Sequence, residues 1–490
     1  MNQPSYLPNA AYIMKHERLL LCAIGAMALI RMAAIIATPL EFGVDEAQYW
    51  LWGQELDFGY YSKPPLIGWY LGAMDMFFGA STIAARLATP LLHSLIALVL
   101  YAIGHAYHSA SAGRWAALFW VSLPIVSLGA FVISTDTLLL VPWVFALALF
   151  LSAEQSGKAR DFFLTGLIIG IGLLAKYAAI YFILGTALCL FGNKANNRLT
   201  ALSKLGVICA GALVTAAPNL LWNLAHGGIT FAHLGENADL AKPHYSLISA
   251  FEFLLSQTAV IGPLAFLLFC IALLRLPRQI NLSFAQRLLC FSLPVILIMT
   301  TQAYLKTANA NWAATAWPTA CLLIGCALAQ KEPFIVGRFW GRMALSINIF
   351  AALMIATAVF FGTFGQWTPQ SDPLRRLRGW EALAQDVTAT AKAHNATIII
   401  ADRRAEAALL SWHLHDTAYS VKVLDEDGRP GSHFELKHAL HNDDRGPFLI
   451  LTGEDGLLPA RFADSAKEVG ESQVAISQKR KRHKRFFIAQ

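Results

Sequence analysis

Eleven runs of apolar residues divide the first 365 positions, near 18–38, 82–104, 114–133, 136–152, 161–175, 177–192, 200–222, 247–274, 288–305, 311–329 and 343–364. A run of about 18 or more apolar residues crosses roughly 30 Å of hydrocarbon as an α-helix, so the pattern predicts a polytopic α-helical membrane protein with about eleven transmembrane helices. The turns at Ser134-Thr135-Asp136 and at Lys176 are very short, and the runs they divide barely reach the required length. Beyond 366 the pattern changes. Positions 380–394 and 403–413 have helical periodicity, while 397–401 and 447–452 are short apolar runs of strand length. Alternating helices and strands predict a small C-terminal α/β domain. The expected division is a membrane domain over 1–365, with a first outer loop at 39–81, and an α/β domain over 366–490.

Lysine and arginine fix the expected orientation. With the amino terminus in the cytoplasm, one side receives Lys15, Arg18, Arg114, Lys158, Arg160, Lys194, Arg198, Arg275, Arg278, Arg287, Lys331, Arg338 and Arg342, and the other only Lys63, Lys176, Lys242 and Lys306. That asymmetry follows the positive-inside rule if the number of spans before 365 is odd, which puts the α/β domain outside. The expected location is the inner membrane of a bacterium, multi-pass, with the C-terminal domain periplasmic. The first run resembles a secretory leader in its basic start. Its length, its Arg31 and the acidic loop that follows argue for an anchor.

Composition agrees: 56% of the 490 residues are hydrophobic and 14% charged. The formal charge of +7 arises from basic residues scattered among short loops, which suit topology and not nucleic acid. All seven cysteines fall inside apolar runs, so no disulfide framework or zinc cluster is expected. The basic stretch 479–485 is expected either to meet anionic lipid phosphates or to form a solvated tail.

Candidate chemistry concentrates in the loop after the first run, TPLEFGVDEAQYWLWGQELDFGYYSKPP. Carboxylates and an ammonium beside hydrocarbon are costly unless used or paired. Residues 45–54 have helical spacing with Glu46, Tyr49, Trp50 and Gly53 on one face, which predicts a helix along the interface. Asp45 stands at its start, either as a cap or as a functional acid. Lys63 is held between Tyr60-Tyr61-Ser62 and Pro64-Pro65; its charge beside a phosphate is worth about 4 kcal/mol at 4 Å and an effective dielectric of about 20. Asp136 and Lys176 lie in short turns on the same expected side, where helix capping and membrane anchoring are the simpler roles.

The sequence DEAQYWLWGQELDFGYYSKPPL, the STD at 134–136 and LLAKYAAIYF around Lys176 resemble bacterial C-type glycosyltransferases related to protein O-mannosyltransferases and lipid A aminoarabinose transferases. PNLLWNLAHG at 218–227, NANWAATAWP at 309–318 and DPLRRLRGW at 372–380 resemble the same group. The resemblance implies an inverting transfer of a sugar from a polyprenyl (undecaprenyl) phosphate donor to lipid A, lipopolysaccharide or another envelope acceptor hydroxyl at the outer face of the membrane. By that resemblance Asp45 takes the hydroxyl proton, Lys63 stabilises the departing phosphate with Lys176 as a weaker second, Asp136 orients acceptor or sugar, and Glu46 supports the loop. Tyr60 and Tyr61 complete the expected substrate-binding set.

No cofactor is required by this reading; a divalent metal is compatible but not indicated, and no metal ligand is assigned. The aminoarabinose transferases carry a glutamate before the loop lysine where this chain has Ser62, which puts a metal site built on that carboxylate in doubt. His226, His233, Glu236, Asp239 and His244 share one outer loop, but their spacing matches no standard ligand motif, and loop hydrogen bonding is expected of them. The expected partners are the lipid-linked donor, a glycolipid or protein acceptor and the bilayer, with no nucleic acid; a monomer is expected. The alternatives are a protein O-glycosyltransferase of the same fold and a transporter or flippase for a lipid-linked sugar. A transporter predicts repeated halves or matched Gly/Pro breaks, and the sequence has no such repeat.

Overall fold

The computed structural model describes residues 8, 10–193, 195–238, 243, 245–279, 282–330, 337–365, 372–426, 428–477 and 480–490. Two compact units emerge. The first comprises 1–36, 63–66 and 86–357, and the second 37–62, 67–85 and 358–490.

The apolar runs are helical, but fewer are continuous than the hydropathy pattern predicts. Among the described residues six helices are long and apolar enough to cross a membrane: Arg18–Ala37, Thr82–Tyr107, Thr135–Ser156, Arg198–Ala225, Phe284–Leu305 and Arg338–Phe361. The run at 114–133 breaks into Ala110–Ser122 and Pro124–Gly129, because Pro124 has no N–H to continue the ladder and suits the first position of a new helix. The run at 247–274 bends by 112° between Leu247–Ile261 and Pro263–Leu274. The bend is at Gly262, whose φ of +92° excludes an ordinary side chain, and Asn348 occupies the space beside it, with its Nδ2 donating to the Ile261 carbonyl at 2.9 Å.

The run at 311–329 starts as a 3₁₀ segment, Ala310–Ala316, and continues as Trp317–Leu328, a helix of 12 residues that is buried at every position. A helix enclosed by protein need not match the thickness of hydrocarbon, so its apolar character marks a core and says nothing of a crossing. Arg31 is likewise an interior residue. At 1% exposed, its Nη2 donates to the Val121 carbonyl at 2.6 Å and to Ser127 Oγ at 2.9 Å.

The second unit holds a five-stranded sheet. Its strands are β1 (Ile398–Ile400), β2 (Ser420–Lys422), β3 (Phe448–Thr452), β4 (Lys467–Ser477) and β5 (Arg480–Ala489), in the order β2-β1-β3-β5-β4. β1 is parallel to both β2 and β3, with Ile399 opposite Val421 and Leu449, and the last two strands run antiparallel. The helix Arg404–His413 makes the β1-to-β2 crossover, and β3 is buried along its whole length, as a central strand with both faces covered must be. Trp380–Ala393, the crossover helix, β1 and β3 lie where the sequence predicts; β2, β4 and β5 do not appear in that reading.

β5 corrects the expectation for the basic end. Its described part is a strand, not a tail: Lys484 is 6% exposed and its Nζ is 2.7 Å from Glu406 Oε1, the Arg482 guanidinium lies 3.3 Å from the centre of the Trp380 ring, and Arg485 pairs with Glu468. Charge run and strand coincide because the cations alternate between ring, carboxylate and solvent.

Most of the loop after the first run, 39–62 and 67–81, belongs to this unit, while 63–66 belong to the first. Glu41 caps the helix Trp380–Ala393, its Oε1 accepting the Gly379 N–H at 2.9 Å and its Oε2 those of Trp380 and Glu381 at 2.8 and 3.1 Å. Gly379 has a φ of +77°, which turns the chain out of the DPLRRLRGW segment, where Arg378 pairs with Asp372. Helix Val44–Gln54 crosses helix Leu66–Phe78 at two glycines. A Cβ on Gly53 would stand 2.5 Å from the Gly72 nitrogen, so the backbones touch.

Candidate active site

In the second unit the helix Val44–Gln54 carries Asp45 and Glu46. Its cap is Gly43, and the Glu46 carboxylate closes the turn by accepting the Gly43 N–H at 2.9 Å. Capping is therefore done by Glu46, and Asp45 is left for other work. The Asp45 side chain is 63% exposed, and Arg404 Nη2 donates to its Oδ1 at 3.0 Å while Nη1 donates to Gln48 Oε1 at 2.9 Å. One guanidinium thus reads two positions three apart on the helix. A half-exposed pair of this kind is worth at most about 1 kcal/mol of stability, so its value is in orientation.

The same helix is buried on more than one face. Trp52, which is not among the residues of the predicted face, is 0% exposed and stacks on Tyr60 at 4.6 Å and 3°, while Trp50 packs on Trp412 at 5.0 Å. Trp50 and Gln54 both donate to Asp75, at 3.3 and 3.1 Å. Tyr60 is 2% exposed and its hydroxyl donates to the Trp52 carbonyl at 2.7 Å; burial pushes the phenol well above its ordinary pKa, so it stays protonated. Tyr61 is 6% exposed.

Lys63, Asp136 and Lys176 belong to the first unit. Lys63 is partly exposed and is followed by Pro64 and Pro65, both buried. Asp136 sits in the first turn of Thr135–Ser156, where the cap is Ser134: its Oγ accepts the Thr137 N–H at 3.3 Å. Lys176 Nζ instead donates to Asp136 Oδ1 at 2.7 Å, and Asn311 Nδ2 to Oδ2 at 3.2 Å. Lys176 is an extended residue, φ −161° and ψ 133°, that ends the helix Ala159–Ala175 and turns its side chain to this acid. The next residue, Tyr177, donates to Asn219 Oδ1 at 2.7 Å and accepts from Asn223 Nδ2 at 3.1 Å. Segments far apart in sequence therefore supply two polar sets that start from neighbouring residues, STD, AKY and NANW around Lys176 and AKY with PNLLWN around Tyr177. Sequence reading singles out each segment without showing that they meet.

Arg404 and Gln48 are the residues that reading missed. A signal exists for the arginine: Arg403-Arg404 begins a helix, where the positive end of the helix dipole disfavours cations, so a pair there points to a carboxylate elsewhere. The histidine-rich outer loop forms no three-ligand group among the described residues. His226 donates from Nδ1 to the Trp222 carbonyl at 2.8 Å and stacks on that indole, and His233 lies 3.9 Å from Glu236; Asp239 and His244 lie outside the described residues.

The fold is shared with a protein of known structure. The chain superposes on ArnT from Cupriavidus metallidurans in the apo state with a TM-score of 0.67 at 13% identity, over 96% of this chain and 98% of that one. With ArnT bound to undecaprenyl phosphate the TM-score is 0.68 at the same identity and coverage. Residues 62–222 match the family model described as dolichyl-phosphate-mannose-protein mannosyltransferase. The chain is also 33% identical over 414 residues to the lipid A galacturonosyltransferase RgtD of Rhizobium johnstonii, covering 84% of this chain and 86% of that protein. The protein belongs to the C-type glycosyltransferases.

Proposed function

We propose that the protein is an inverting glycosyltransferase that moves a sugar from a polyprenyl phosphate to a hydroxyl of lipid A at the periplasmic face of the bacterial inner membrane. The observation that carries this reading is the 33% identity with a lipid A galacturonosyltransferase over 84% of the chain. The same relative makes a hexuronic acid the sugar of choice. Asp45 is the base: held by Arg404, it accepts the acceptor hydroxyl's proton as the oxygen attacks the anomeric carbon and the bond to the phosphate breaks. Lys63 meets the charge that grows on the departing phosphate. Lys176 and Asp136 form a preset ion pair that orients substrate, with Lys176 the second cation for phosphate. Glu46, Tyr60 and Tyr61 hold the loop that carries Asp45 and Lys63. A monophosphate leaving group needs no nucleotide-binding motif and no cofactor.

The sequence-level topology supports residues 366–490 as a periplasmic domain and an odd number of crossings before it. The test is mass spectrometry of lipid A from a strain lacking the gene, complemented with the wild-type or the Asp45→Asn chain. Loss of one hexuronic acid, restored by the wild type alone, is expected. Unchanged lipid A would remove this acceptor, and a sugar missing from envelope proteins would move the assignment to protein glycosylation, the acceptor named by the family model at 62–222.

A further inference from the structure

Glu55, His433 and His438 bring three metal-ligating atoms within 4.8 Å of one another, all inside the second unit. Glu55 is the residue that ends the helix Val44–Gln54. The two histidines bracket the short helix His433–Lys437, whose start is fixed by Ser432: its Oγ accepts the Glu435 N–H at 3.2 Å. His438 Nε2 stands 3.1 Å from Glu55 Oε1, and His433 Nε2 stands 4.0 Å from Oε2.

His433 makes the cluster more than a carboxylate–histidine pair. Its side chain is 2% exposed, yet neither ring nitrogen has a hydrogen-bond partner. A buried imidazole without a partner forfeits hydrogen bonds that water would supply, and such groups are rare in folded proteins. The rings of Trp52 and Tyr60 pack against it nearly at right angles, with centres 5.5 and 6.0 Å away, and neither gives it a hydrogen bond. Of its two unpartnered nitrogens, Nε2 stands 4.0 Å from Glu55 Oε2 in the cluster with His438.

From this arrangement we propose a divalent transition-metal site, with His433 and His438 as imidazole ligands and Glu55 as the carboxylate ligand. Two nitrogens and one carboxylate oxygen suit Zn²⁺, which takes them at about 2.0–2.2 Å in a tetrahedron whose corners lie roughly 3.3 Å apart. The observed separations of 3.1 and 4.0 Å need only side-chain adjustment to reach that value. Three protein ligands leave a fourth position for water or another group. Bound metal would satisfy His433 and bolt the end of the Asp45 helix to the sheet domain. The site shares no residue with the histidine loop at 226–244 and does not rest on the sugar-transfer reading.

The experiment titrates Zn²⁺ into the full-length protein in detergent after chelator treatment, at pH 7.5, by calorimetry, and substitutes Co²⁺ to read coordination from its visible absorption. One equivalent of Zn²⁺ is expected to bind with a Kd of about 10 μM or tighter, and the Co²⁺ form to show the intense visible band of a four-coordinate site. His433→Ala and His438→Ala should each weaken binding by about 100-fold, and Glu55→Gln by about 10-fold or more. Glu55→Gln keeps an acceptor for His438 and truncates neither histidine, so it tests the site at nearly unchanged side-chain volume. His226→Ala should bind as wild type. Absence of binding to the wild type at 100-fold the expected Kd, or equal binding by Glu55→Gln and the double histidine variant, overturns the site.

Discussion

Lys176 Nζ donates to Asp136 Oδ1 at 2.7 Å, joining two short turns that are 40 positions apart in the chain. Each side chain is about one-fifth exposed, so the pair is screened less than a surface ion pair and holds both groups in one place. If the two act as a unit in sugar transfer, their effects will not add. Asp136→Asn and Lys176→Met are each expected to lower kcat/KM by about tenfold or more, and the double variant to be no worse than the poorer single. A coupling energy of about 1 kcal/mol or larger in that cycle is the check, and strict additivity would separate their roles.

Asp45 and Arg404 make a different prediction. Asp45→Asn should reduce turnover by about a hundredfold or more while the chain remains folded, because the amide cannot accept the hydroxyl's proton. Arg404→Met should lower kcat with little change in donor KM, since the arginine aims the base without meeting the donor phosphate. A variant at Asp45 with near-normal turnover removes it from the base role.

Lys63→Ala is expected to raise the KM for the lipid-linked donor by about tenfold, as loss of a phosphate contact should. Lys158→Ala, at an exposed turn, should leave it unchanged. Equal effects of the two would reduce Lys63 to a residue of topology.

The crossing of Gly53 and Gly72 is testable by size alone. Gly53→Ala places a methyl 2.5 Å from the Gly72 nitrogen and should lower stability by about 1–3 kcal/mol, whereas Gly25→Ala, with nothing within 4 Å, should be neutral or slightly stabilising. Thermal midpoints of the detergent-solubilised variants give the comparison.

Asp444 supplies a pH dependence. Lys422 donates to both of its carboxylate oxygens at 2.6 Å and holds its pKa below the ordinary value of 3.8. The folded state therefore binds this proton more weakly than the unfolded state, and the stabilisation is present above about pH 4 and lost as pH falls through the lowered value. Lys422→Met should lower the thermal midpoint at pH 7, and its difference from wild type should shrink as the pH is taken progressively below about 4.

Much of this molecule is written in local pattern. The loop acids, Lys63 and the helix–strand alternation around Trp380, Ile399 and Leu449 all follow from spacing and charge. Hydropathy does not show where an apolar run breaks: Trp317–Leu328 is a short helix buried at every position and the run around Pro124 is divided there, and composition alone does not distinguish a lipid neighbour from a protein one. The basic run of β5 misleads for a related reason: its cations are satisfied by Trp380, Glu406 and Glu468, which lie on other segments. Arg404 and Asn311 escape a linear reading since their partners, Asp45 and Asp136, are hundreds of positions away or nearly so.

Glu41 holds the first turn of the helix that opens at Trp380, and Phe42, on the neighbouring position, packs its ring on Trp412 at 4.5 Å. A truncation at the change in composition near 366 would consequently not release a self-sufficient catalytic half. It would strip the Asp45 loop of its arginine, bare indole rings to water and leave an acidic residue without the amides it now serves, so a fragment that keeps this loop intact has to keep the segment from Gly379 to Trp412 as well.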